Sequence, residues 1–103
     1  METTGLPGAP LIEEGLADLA RGLETVPSLL ASIGSPRLRL LGIEVPAPLP
    51  DAERRLYRLL ERDGSGSAHG RYNALVRTLV SFERAAALRR RAASSTRHDC
   101  APS

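Results

Sequence analysis

The chain has 103 residues and a mass of 11.0 kDa, room for one small domain rather than two. Its composition is 42% hydrophobic and 25% charged, and 17 Leu and 14 Ala against three aromatics (Tyr57, Tyr72 and Phe82) favour helices over sheets. No apolar run approaches the roughly 18 residues that a bilayer span requires, and METTGLPGAP has neither the basic nor the apolar region of a secretion signal, so a cytoplasmic protein with no membrane association is expected.

A single cysteine, Cys100, excludes an internal disulfide framework and a four-Cys zinc site. The formal net charge is +2, unevenly placed. Residues 1–36 carry five acids (Glu2, Glu13, Glu14, Asp18 and Glu24) against Arg21, a net of −4, while 37–103 carry thirteen Arg against seven acids, a net of +6. All the basic residues are Arg, a bias that a GC-rich genome explains without function. The asymmetry suits either a nucleic-acid contact or attraction between helical surfaces of opposite sign.

Residues 1–10, with two Gly and two Pro and no periodicity, read as a flexible arm. From Ile12 the spacing sharpens: Ile12, Leu16, Leu19, Leu23, Val26, Leu30 and Ile33 follow at alternating steps of four and three, one seam of a helical bundle. Pro10 suits a first helical position, and Glu13 and Glu14 suit the positive end of the helix dipole. Gly15 and Gly22 share a flank that either admits a close neighbour or merely weakens the helix. Pro27 removes a backbone donor and clashes one turn back, so the seam breaks near Thr25, giving helices over about 11–25 and 26–33 with Thr25 as the second cap.

Gly34-Ser35-Pro36 ends that unit. Residues 37–45 alternate apolar and charged side chains, which fits a short strand or a short amphipathic helix from Pro36 to Leu41; the absence of a partner strand favours the helix. PAPLP, 46–50, is an extended connector. Asp51 caps a helix over about 51–63 that buries Leu56, Leu59 and Leu60 and turns Arg54, Arg55, Arg58 and Arg62 outward. GSGSAHG is a loop, and a last helix over about 71–93 carries Tyr72, Leu75, Leu79, Phe82 and Ala86 along its seam, widened by Val76 and Val80. Residues 94–103 read as a disordered tail. The expected fold is all-α: a small bundle of three to five helices with a flexible N-terminal arm and C-terminal tail.

Chemistry-bearing constellations are sparse. The chain has no phosphate-binding glycine loop, nucleophile elbow or HExxH. His69 falls in a loop and His98 in the tail, and the adjacent His98, Asp99 and Cys100 do not converge on one ion. No enzyme, cofactor, metal or small-molecule substrate is expected. Arg77, Arg84 and Arg91 recur every seven residues opposite the apolar seam, a stripe about 20 Å long at helical rise, extended by Arg89 and Arg90. It is either a solvated outer face or a rail for phosphates. The gap before the last helix, 64–70, is longer than a helix-turn-helix allows.

Two stretches resemble the bacterial effector-associated, death-domain-like modules found beside predicted conflict-system proteases and nucleoside-triphosphatases. Leu23-Glu24-Thr25-Val26-Pro27-Ser28 is similar to their helix-ending hydrophobic-Pro step. Arg71-Tyr72 followed by Leu75-Val76-Arg77-Thr78-Leu79 and Phe82 is similar to their late-helix signature. Together they cover under a fifth of the chain, and PAPLP and GSGSAHG depart from the pattern. The resemblance implies a helical adaptor that recruits a partner through matching helical faces and has no active site of its own.

Two functions follow as expectations. One is a non-catalytic protein–protein interaction module, an adaptor or a homo-oligomer, with Glu13, Glu14, Asp18, Arg77 and Arg84 facing the partner. The other is a small dimeric nucleic-acid binder that sets Arg77, Arg84, Arg89, Arg90 and Arg91 against phosphates.

Overall fold

The computed structural model describes residues 3, 5–63 and 67–92 and, for 93–100, the backbone. Five helices follow in order: α1 (Ala9–Ala20), α2 (Val26–Ile33), α3 (Ser35–Leu40), α4 (Ala52–Asp63) and α5 (Ala68–Cys100), with no strand among the described residues. The fold is all-α, as composition and periodicity require. No helix among the described residues is long and apolar enough to cross a membrane.

The arm expected over 1–10 is more structured than its glycines and prolines imply. Gly5 to Gly8 form turns that carry Leu6 into the core, 7% exposed, and the Leu6 N–H donates to the Thr3 carbonyl at 3.1 Å. Helix α1 then starts at Ala9, with Pro10 in its first turn where no backbone donor is needed. Met1, Glu2 and Thr4 lie outside the described residues.

The seam of Ile12 to Ile33 does not run along one rod. Helix α1 stops at Ala20, five residues short of the expected 25, and the cause is local. Gly22 adopts a left-handed φ of 72°, its N–H donates to Leu19 O at 3.0 Å, and the Leu23 N–H donates to Asp18 O at 2.9 Å. This pair of bonds satisfies carbonyls that a helix end leaves unpaired. Of the two glycines on the shared flank, Gly22 therefore makes the turn and Gly15 makes the contact: a Cβ built at Gly15 would lie 2.2 Å from the Pro27 carbonyl oxygen. Helix α2 packs back on α1 through that gap.

Helix α2 opens on a reciprocal cap. The Thr25 hydroxyl accepts from the Ser28 N–H at 3.2 Å, and the Ser28 hydroxyl accepts from the Thr25 N–H at 2.7 Å. Further along, Ser32 Oγ donates to the Ser28 carbonyl and accepts from the Leu49 N–H, both at 2.9 Å, which ties the PAPLP connector to α2. The segment 37–45 resolves as helix to Leu40 and extended chain beyond Gly42. There Gly42 and Ile43 donate to Arg39 O and Leu38 O at 3.0 Å, the device seen after α1. Leu38, Ile43 and Val45 all enter the core.

In α4, Leu56 and Leu60 are fully buried while Arg54, Arg58 and Arg62 face solvent; Arg55 reaches Glu24 at 3.3 Å. Asp51 sits just before this helix, and its carbonyl accepts the first helical bond from the Arg55 N–H at 3.0 Å. Helix α5 begins at Ala68, three residues earlier than expected. The Ser67 hydroxyl accepts from the Gly70 N–H at 3.1 Å, an N-cap that draws Ala68-His69-Gly70 out of the presumed loop. The connection between the two helices is thus 64–67, of which 64–66 lie outside the described residues, and the length argument against a helix-turn-helix lapses.

The far end of α5 departs from expectation too. Its backbone stays helical through Cys100, across most of the expected tail, continuing from the Ala- and Arg-rich run of 85–93 into residues of weaker helix propensity. Residues 101–103 lie outside the described residues. At 33 residues, α5 is about 50 Å long at 1.5 Å per residue and sets the long axis of a molecule measuring 59 × 26 × 19 Å. Its seam residues Leu79, Phe82 and Ala86 are buried against the other helices, and Tyr72 meets Tyr57 of α4 at a 5.7 Å ring separation.

Candidate functional site

The concave feature that stands out lies between the end of α2, the α3 helix and the middle of α5. It has a volume of about 880 Å³. From α5 it takes Val76, Leu79, Val80, Glu83, Ala87 and Leu88, and from the other wall Ile33, Leu40 and Leu41. These α5 positions are spaced at three and four, so they form one apolar face, and Val76 and Val80 widen a surface groove rather than the core. Leu40 and Leu88, 77% and 63% exposed, both line it. Large apolar side chains that far into water, gathered at one groove, mark an interaction surface rather than a scattered remainder.

Gly34 brings the two walls together. A Cβ built there would lie 2.8 Å from Leu79 Cδ1 and 3.1 Å from Glu83 Oε2, so a side chain at 34 would displace the ends of these two side chains. Glu83 itself is 8% exposed, and among the described residues no hydrogen bond or ion pair engages its carboxylate. Burial raises its pKa above the ordinary carboxylate value, partly offset by attraction from Arg37. The groove therefore has an apolar lining, one desolvated carboxylate, and Arg37, Arg84 and Arg91 along its edges, all three exposed.

The residues singled out in the sequence scatter over this surface. Glu13 and Glu14 are exposed on α1, where Glu13 accepts a hydrogen bond from the Thr3 hydroxyl. Asp18, expected on a partner-facing surface, instead turns inward. It is 9% exposed, and its carboxylate accepts from the Thr25 hydroxyl at 2.6 Å, which joins the end of α1 to the cap of α2. Arg77 is exposed, with Nε donating to the Asn73 carbonyl at 3.4 Å, and does not line the groove. Arg84 and Arg91 do line it.

The proposed phosphate rail is likewise divided. Arg90 donates to the Leu40 carbonyl, where it braces the end of α3 against α5, and Arg89 also has an interaction of its own. His69, on the first turn of α5, lies 3.1 Å from Asn73 Nδ2. The side chains of His98, Asp99 and Cys100 lie outside the described residues.

Sequence reading missed the groove because its walls are some forty residues apart in the chain. One signal was present: Glu83 falls on the apolar stripe Val76, Leu79, Val80, Ala87, where an acid has no structural reason to be. Compared with known proteins, the chain matches no family model, no curated protein and no solved structure.

Proposed function

We propose that this chain is a non-catalytic protein docking module whose working surface is the groove between α3 and α5. The observation that carries the reading is the pairing of Leu40 with Leu88, the two most exposed large apolar side chains among the described residues, on opposite walls of one depression. Exposing two leucines forgoes roughly 1.5–3 kcal/mol of burial at each, a cost that a partner filling the groove recovers. An adaptor role is also what the resemblance to death-domain-like modules implies, and one of the resembling stretches, Leu75 to Phe82, supplies the first part of the α5 wall, Val76, Leu79 and Val80.

A second reading, phosphate binding along α5, is favoured by the exposure of Arg77, Arg84 and Arg91 on the same helix. Two titrations of the isotope-labelled chain separate the readings. One adds an amphipathic helical peptide, the other a generic DNA duplex at low salt. Docking predicts methyl shifts at Leu40, Leu88, Val76 and Val80 with peptide. Shifts centred on Arg77, Arg84 and Arg91 with duplex, fading as salt rises, together with silence toward peptide, favour the nucleic-acid reading instead.

A further inference from the structure

The occupant of the groove has a definite chemistry, which rests on the docking reading just given. We propose that the groove accepts an amphipathic helix of a different protein, acidic along its flanks and carrying one basic side chain near its middle that reaches Glu83. Three features point there.

The first is shape. The α5 wall runs from Val76 to Arg91, about 22 Å at helical rise, which matches a helix of four turns with anchors at i, i+3 or i+4, and i+7. A compact small molecule would leave most of that length uncovered.

The second is charge. Arg37, Arg84 and Arg91 edge the groove and stand exposed, so a partner with acidic flanks is attracted and one with basic flanks is repelled. The same charges disfavour a second copy docking face to face, since six arginines would meet two Glu83 carboxylates. Nor does the acidic α1 of a second copy fit. Its exposed positions are Pro10, Glu13, Glu14, Ala17 and Ala20, and its larger apolar side chains Leu11 and Leu16 are already packed against the core, so little apolar surface is free to fill the groove.

The third is Glu83. It is more than nine-tenths buried, lines the groove, and among the described residues has no hydrogen-bonding partner. Covering the groove with apolar surface alone would leave a carboxylate sealed away from water, which is costly. Arg37 attracts it through space without a hydrogen bond; a Lys or Arg from the covering helix adds a direct counter-charge and hydrogen bonds, and makes register a condition of binding. Glu83 is thereby a selectivity residue within an otherwise apolar contact.

The test is a display selection of random 16-residue peptides against the intact chain, keeping those that the Leu88→Asp variant fails to bind. The expected pool has apolar anchors at helical spacing, acidic flanks and a central Lys or Arg. Combined Arg84→Glu and Arg91→Glu substitution weakens such peptides about tenfold, as like charges then face one another, and Glu83→Gln removes the enrichment of the central basic residue. A groove-dependent pool with basic or neutral flanks, or one indifferent to Glu83→Gln, overturns this inference while the docking reading stands. A selection that yields no peptide sensitive to Leu88→Asp overturns both. Circular dichroism of each variant, all changed at groove side chains, confirms that helix content is kept.

Discussion

Gly15 and Glu83 illustrate how single residues divide between building the fold and equipping it. Gly15 is structural: the space where its side chain would stand is occupied by the Pro27 carbonyl. Gly15→Ala forces α1 and α2 apart, and urea denaturation is expected to register a loss of about 1–3 kcal/mol, the usual range for overpacking. An unchanged midpoint would mean that the two helices do not meet there.

Glu83 is the opposite case, a residue that the fold would be better without. Its folded pKa is raised, chiefly by burial, so the native state holds the proton more tightly than the unfolded chain. As pH climbs from the ordinary carboxylate value through the raised one, the native state must ionise a desolvated group and loses stability. Glu83→Gln abolishes that penalty. Thermal unfolding is expected to show the variant more stable than the parent at pH 7 and the two nearly equal near pH ~3.5, where the carboxyl is neutral in both states. A variant less stable at pH 7 would show that the charge is compensated within the chain.

Among the elements, the sequence was most legible where short-range chemistry decides. Helix α2 runs over the expected residues because Thr25 and Ser28 cap it through bonds between near neighbours. The end of α1 was less legible. A four-three spacing continues smoothly from Leu16 to Val26, and hydrophobic period alone cannot reveal that Gly22 turns left-handed between them. A Cβ at Gly22 would meet nothing within 4 Å, so Gly22→Ala isolates the backbone strain. It is expected to cost about 1–2 kcal/mol and to speed hydrogen exchange of the Leu23 amide, whose bond to Asp18 O depends on that turn. Unaltered exchange there would contradict the assignment of Gly22 as the terminator.

Helix α5 carries both kinds of lesson. Its buried seam of Leu79, Phe82 and Ala86 is plain in the sequence, whereas its start depends on the Ser67 hydroxyl and its groove face depends on a wall contributed by α3. Side chains that share a helical face are legible from spacing. Whether that face is core or groove is decided by what folds over it.

At the scale of the whole molecule, α2 packs against each of the other four helices, and α4 and α2 cover part of α5, which is about 50 Å long, leaving an apolar depression bordered by arginines. The self-association anticipated from composition has to contend with that border, and sedimentation at moderate salt is expected to find a monomer. A stable dimer lost on Leu88→Asp substitution would make the partner a second copy.

The measurement that bears most directly on the account is calorimetric titration of a groove-selected acidic peptide into the parent chain and into the Leu40→Asp, Leu88→Asp double variant. Both leucines stand mainly in water, so the variant should unfold at about the temperature of the parent yet release no binding heat. Undiminished binding by a folded double variant, or collapse of the fold when these two side chains are changed, would contradict the claim that they serve recognition rather than the core.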